Sequence, residues 1–152
     1  LLKAMSMERM DRFEELEEEA YALGIQVKVV DFPDPDMDAT YIASDKAKHI
    51  FLRKGSTLKE RACWMAEELG HHYTGQDRIL VYDSVDDWRS EARARRWAHN
   101  RLLSPDAIRT AAQNTDDIFE IADALNVSVE FLRESIDDFQ SKGIWSLMYN
   151  PA

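Results

Sequence analysis

The sequence predicts an α+β fold, in which a small antiparallel sheet packs on helices and a short helical region follows. Apolar and polar residues alternate, as they do in half-buried strands, mainly between residues 25 and 53. Beyond that segment, apolar residues recur mostly at helical spacing. Strands gathered in one stretch, with helices before and after it, are typical of α+β proteins.

The first elements are a helix and three short strands. Helical spacing of apolar residues begins at Met7 and ends at Gly24, a residue that favours the end of a helix. Residues 25–32 alternate and predict the first strand. Residues 39–43 and 49–53 predict two more, and the short segment between them predicts a hairpin.

Most of the rest of the chain is predicted to be helical, apart from a polar connection at residues 75–87 in which residues 79–82 predict a strand or a tucked loop. Thr57 and Glu60 form a capping box, in which a hydroxyl and a carboxylate satisfy backbone groups at a helix start. The helix that follows should run to about His72, and a second long helix should end before Pro105. Three shorter helical patterns come after it, at residues 106–113, 117–125 and 129–141.

Size, charge and cysteine content limit the class of protein. The chain has 152 residues, enough for a single compact domain, with a main part at 7–105 and a C-terminal helical subregion at 106–143. A net charge of −10 argues against direct nucleic acid binding. No apolar run approaches the roughly 20 residues that span a bilayer, so no membrane contact is expected. The lone Cys63 excludes an internal disulfide and favours a cytoplasmic location.

The most informative stretch is E-E-L-G-H-H at residues 67–72. In the zinc-peptidase motif H-E-x-x-H, one helical turn directs two ligands at the same ion, and the intervening glutamate polarises the metal-bound water. By this alignment Glu67 and His71 are metal ligands and Glu68 is the catalytic base. In the alternative register Glu68 and His72 are the ligands, and no carboxylate is left for the base. A plain surface turn remains a third alternative.

A catalytic ion also needs a third protein ligand, with one position left open for water. Glu91, on the next long helix, is our candidate, and its alternative role is an ion pair with Arg95 four residues later. We expect zinc as the cofactor, with manganese or iron as alternatives because two carboxylates form a harder donor set. The added negative charge should raise the pKa of a bound water and slow hydrolysis or abolish it.

Two blocks of this sequence resemble the ImmA/IrrE family of metallo-endopeptidases. They are residues 63–75, which include E-E-L-G-H, and residues 91–98. A branch of the family from phages and mobile elements is similar in having E-E-L-G-H in place of H-E-x-x-H. The resemblance implies a zincin-like, metal-bearing helix pair packed on a small sheet. It also implies that Glu68 is the general base and that His71 and Glu91 are ligands.

The family resemblance implies cleavage of a helix-turn-helix repressor protein, which derepresses a phage or mobile element. The alternative is a non-catalytic binding protein that sequesters a transcriptional regulator or a toxin. A third hypothesis is a DNA-binding regulator, because residues 117–132 are themselves similar to a helix-turn-helix. Glu130 and Glu134 give its second helix the wrong charge for a major groove, so we expect a packing or docking role.

Overall fold

A computed structural model describes residues 11–75 and 84–143, with the backbone alone for residues 84–87. These ranges contain six helices and three strands, which confirms the α+β class. In chain order they are α1 (Arg12–Ala22), β1 (Ile25–Val30), β2 (Ala39–Ala43), β3 (Lys48–Arg53), α2 (Leu58–Tyr73), α3 (Ser84–Leu102), α4 (Pro105–Ala111), α5 (Ile118–Leu125) and α6 (Val129–Ser141). None of the helices in the described ranges has the length and apolar character needed to cross a membrane.

Side-chain caps set where the first two long helices begin. The Asp11 carboxylate accepts a hydrogen bond from the Glu14 amide at 2.9 Å, and Glu14 reciprocates in a capping box. Helix α1 therefore begins at Arg12, later than the predicted start at Met7, which lies outside the described residues. Thr57 and Glu60 form the predicted capping box at the start of α2.

The sheet is mixed, so the expected antiparallel arrangement is wrong for one of its two strand pairs. The central strand β3 pairs antiparallel with β2, through the predicted hairpin, but parallel with β1. The loop between β1 and β2 crosses the end of β3, so β1 and β2 do not form a hairpin. There the Arg53 amide donates to the Asp38 carbonyl at 2.8 Å, and its guanidinium donates to the Asp34 carbonyl at 2.7 Å. Alternation along a strand predicts which face is buried, but it does not predict the neighbouring strand.

The main core lies between the sheet, α1 and α2. Its apolar side chains include Leu16, Ile25, Tyr41, Ile50, Leu52, Met65 and Leu69. Helix α3 crosses α2 at Gly70, where a Cβ atom would lie 2.4 Å from the carbonyl oxygen of Ala94. Because that distance is far below van der Waals contact, only glycine allows the two helices to approach so closely.

Of the C-terminal helices, α6 packs on α3. Helix α5 ends at Asn126, whose φ of 55° is left-handed, and Ser128 caps α6 by accepting a hydrogen bond from the Phe131 amide at 3.2 Å. The rings of Phe131 and His99 meet edge-on, with centroids 5.1 Å apart. The predicted helix-turn-helix likeness is thus a helical pair that uses α6 to cover α3. The strand or loop proposed at residues 79–82 lies outside the described residues.

Candidate metal centre

The residues of the E-E-L-G-H-H motif occupy the last two turns of α2. Glu68 and His71 are buried, with only 7% and 1% of their surfaces exposed, and Glu67 is partly buried. Because Glu67 and His71 are four residues apart, they lie on successive turns of one helix face. The alignment in which Glu67 and His71 are ligands requires this placement on one helix, and the structure has it.

The structure brings His71 and Glu91 into contact from two different helices. The Nε2 atom of His71 lies 3.3 Å from Oε1 of Glu91. The close helix crossing accounts for this contact, because Gly70 is adjacent to His71 and Ala94 follows Glu91 by about one turn of α3. Two of the three predicted ligands therefore meet.

The carboxyl group of Glu67 is electrostatically perturbed. Burial raises its pKa from 4.5 to about 8, and the neighbouring carboxylates Glu134, Glu68 and Glu91 add to that rise. The positive charge of Arg95 acts in the opposite direction. In the absence of a cation the Glu67 carboxyl group is thus mostly protonated at neutral pH. A metal ion at this position would have to displace that proton.

The donor chemistry fits a metal ion at His71 and Glu91, since imidazole nitrogen and carboxylate oxygen both bind zinc. In the described part of the chain, Nδ1 of His71 is buried without a hydrogen-bond partner. Within residues 11–75 and 84–143, however, no group of three His, Cys, Asp or Glu side chains is arranged to hold a metal ion. A complete ligand set would require Glu67, or another donor, to move towards the His71–Glu91 contact.

His72 is directed at the sheet. Its Nδ1 atom lies 2.9 Å from the Tyr41 hydroxyl on β2, and the two rings meet edge-on. In the alternative register His72 is a ligand, so its imidazole would have to leave this contact or bind the ion through its other nitrogen. The structure thus offers a position for His72 that depends on packing rather than on a metal.

A cleft of about 800 Å³ opens beside the motif. Glu67 and Glu68 of α2 line it together with Glu91 of α3, and the loop after β1 and helix α6 supply its other walls. Among the described residues that line it, nine are acidic and only Arg95 is basic. The sequence contains no signal for this convergence, because acidic residues in loops and on helix surfaces are ordinary.

Four other polar residues, His99, Tyr73, His49 and Cys63, are not among the predicted ligands. His99 is buried against α6, 3.4 Å from Asp138, and its burial lowers its pKa. The Tyr73 hydroxyl donates to Glu19 at 2.6 Å, and His49 stacks on Phe51. Cys63 is a buried residue of the cleft wall, and burial raises the pKa of its thiol to about 11. A thiol with that pKa is a poor nucleophile at neutral pH.

An acid and an imidazole on one helix, met by a carboxylate from the next helix beside an open cleft, are typical of metal-dependent hydrolases. A family model agrees with this class. The model of the peptidase M78 family, described as the IrrE N-terminal-like domain, matches residues 20–137. The chain therefore belongs to this metallopeptidase-like family, as the sequence resemblance implied. No curated protein and no solved structure was found to match it.

Proposed function

We propose that this chain is a cytoplasmic metal-dependent endopeptidase that cleaves a helix-turn-helix repressor and so derepresses a phage or mobile element. The observation that carries the proposal is the buried Glu68, which lines the cleft close to the 3.3 Å contact between His71 and Glu91. Membership of the M78 family supports the peptidase part. The repressor and the phage or mobile-element branch follow from the resemblance of residues 63–75 and 91–98.

In this mechanism Glu67, His71 and Glu91 would hold the ion, with zinc as the expected metal and manganese or iron as alternatives. When bound, the ion polarises the substrate carbonyl and lowers the pKa of a coordinated water. Glu68 accepts a proton from the attacking water and then delivers it to the leaving amine nitrogen. Its near-complete burial restrains the carboxylate, which favours a fixed position for this proton transfer.

The first test is metal binding by purified, chelator-treated protein. We expect zinc or manganese to bind stoichiometrically to the wild type, and His71→Ala and Glu91→Ala to lose most of that binding. His72→Ala is the matched control, because its imidazole faces Tyr41 and should leave metal affinity nearly unchanged. Loss of binding in His72→Ala but not in His71→Ala would favour the alternative register.

The second test is cleavage of the repressor encoded beside the gene. Wild-type protein loaded with metal should cut it, whereas Glu68→Gln should bind metal and leave the repressor intact. Intact repressor in both reactions would favour a second candidate, a non-catalytic protein that sequesters a regulator or a toxin. That candidate is supported by Glu67 in place of the usual histidine and by the incomplete ligand group among the described residues.

A further inference from the structure

We propose that the cleft selects substrate segments that carry arginine or lysine, and that Glu130 and Glu134 of α6 are specificity-determining residues. That the bound segment is a substrate rests on the proposed endopeptidase function, whereas the selection by charge is a property of binding alone. It concerns a part of the cleft that the metal centre does not use. It also gives a role to the acidic helix that is unsuited to DNA.

The negative charge of the cleft extends well beyond the candidate metal ligands. Six of its acidic residues lie outside the motif and Glu91, and they belong to three separate elements. They are Asp34, Asp36 and Asp38 in the loop after β1, Glu60 at the start of α2, and Glu130 and Glu134 on α6. A divalent cation at the centre would offset the charge of its own ligands, and the outer carboxylates would still line the cleft.

Only some of these outer carboxylates have partners. Asp38 pairs with Arg53 at 3.4 Å, and Glu60 belongs to the capping box of α2. Asp36, Glu130 and Glu134 are exposed and form no ion pair with any residue in the described ranges. They are therefore available to an incoming cationic group without the loss of an existing ion pair.

Helix α6 presents its two glutamates to the cleft beside the candidate metal centre. Glu130 and Glu134 are four residues apart and so share one helix face, and Phe131 and the capping Ser128 of the same helix also line the cleft. Glu134 lines the same cleft as Glu67 of the candidate metal centre. A peptide held over the centre would therefore pass next to α6.

The acidic lining of the cleft favours segments with cationic side chains and disfavours segments that carry negative charge. Each exposed carboxylate paired with an arginine or lysine contributes up to roughly fivefold in affinity, and the contributions weaken as salt is added. Phosphate groups and acidic peptide segments are repelled by the same lining. The expected occupant is thus a basic, extended protein segment.

The test measures binding without cleavage, in the Glu68→Gln background. The probe is a short fluorescein-labelled peptide of serine, glycine and arginine, and its matched copy has citrulline in place of every arginine. Fluorescence anisotropy should show tighter binding of the arginine peptide, weakening at higher ionic strength. Adding Glu130→Gln and Glu134→Gln should reduce the preference for arginine by roughly fivefold or more.

The control is a variant with the same change in net charge outside the cleft. Glu15 and Glu18 are exposed on α1 and do not line the cleft, so Glu15→Gln/Glu18→Gln should leave the preference nearly intact. An equal loss in both double variants would assign the attraction to the overall charge and overturn the proposal, as would equal affinity for the two peptides. Selective binding without cleavage of any repressor by the active protein would instead refute the endopeptidase function and leave charge selection standing.

Discussion

Replacing Glu67 with glutamine should remove a pH-dependent loss of stability from the metal-free protein. In the folded chain, burial and nearby carboxylates raise the pKa of Glu67 from 4.5 to about 8. The folded state therefore holds this proton more tightly than the unfolded chain does. The resulting stabilisation is complete below pH 4.5 and is lost as the pH rises through about 8.

The size of the effect follows from the two pKa values. One pKa unit corresponds to about 1.4 kcal/mol, so the Glu67 carboxyl should lower the free energy of unfolding by roughly 2–3 kcal/mol between about pH 6 and about pH 9. Urea unfolding of chelator-treated wild type and Glu67→Gln at both pH values measures the difference. Glu15→Gln serves as the exposed control. If wild type and Glu67→Gln respond equally to pH, then Glu67 ionises normally in the folded protein.

Three further outcomes test the site and its surroundings. Gly70→Ala should lower the free energy of unfolding by about 1–3 kcal/mol and weaken zinc binding, because its Cβ would push the Ala94 carbonyl, and with it Glu91, away from His71. An unchanged urea midpoint and zinc affinity would contradict the close helix crossing. Tyr41→Phe should cost about 1 kcal/mol of stability and leave zinc affinity unchanged, and weaker zinc binding would instead implicate His72 as a ligand. Duplex DNA should give no salt-sensitive gel shift, since Glu130 and Glu134 repel phosphate.

Local features of the fold were predictable because they depend on neighbours in sequence. The Thr57–Glu60 capping box and the helical spacing after it predict α2 almost to its last residue. The hairpin between β2 and β3 was predictable for the same reason. The parallel pairing of β1 with β3 was not, because it joins two strands that are separated in the chain by β2.

The candidate site also has features that local sequence predicts and features that only the tertiary structure reveals. Spacing within α2 predicts that Glu67, Glu68 and His71 share adjoining faces of one helix, and that prediction needs no knowledge of the rest of the fold. Glu91 was a candidate from its position on the next helix, and the helix crossing at Gly70 and Ala94 brings it within 3.3 Å of His71. The raised pKa of Glu67 and the acidic cleft had no sequence signal, because each requires side chains from α3 and α6 or from the loop after β1.

The order of residues by itself determined the secondary structure around the motif, the chemistry of its donors and the family to which the chain belongs. Tertiary structure alone decided which donors meet, which face of His72 is occupied by Tyr41, and how many carboxylates share one cleft. The physical reason is the separation in sequence over which each interaction acts. Helix periodicity and capping act over a few residues, whereas electrostatic fields and packing act between groups that are close in space and distant in sequence.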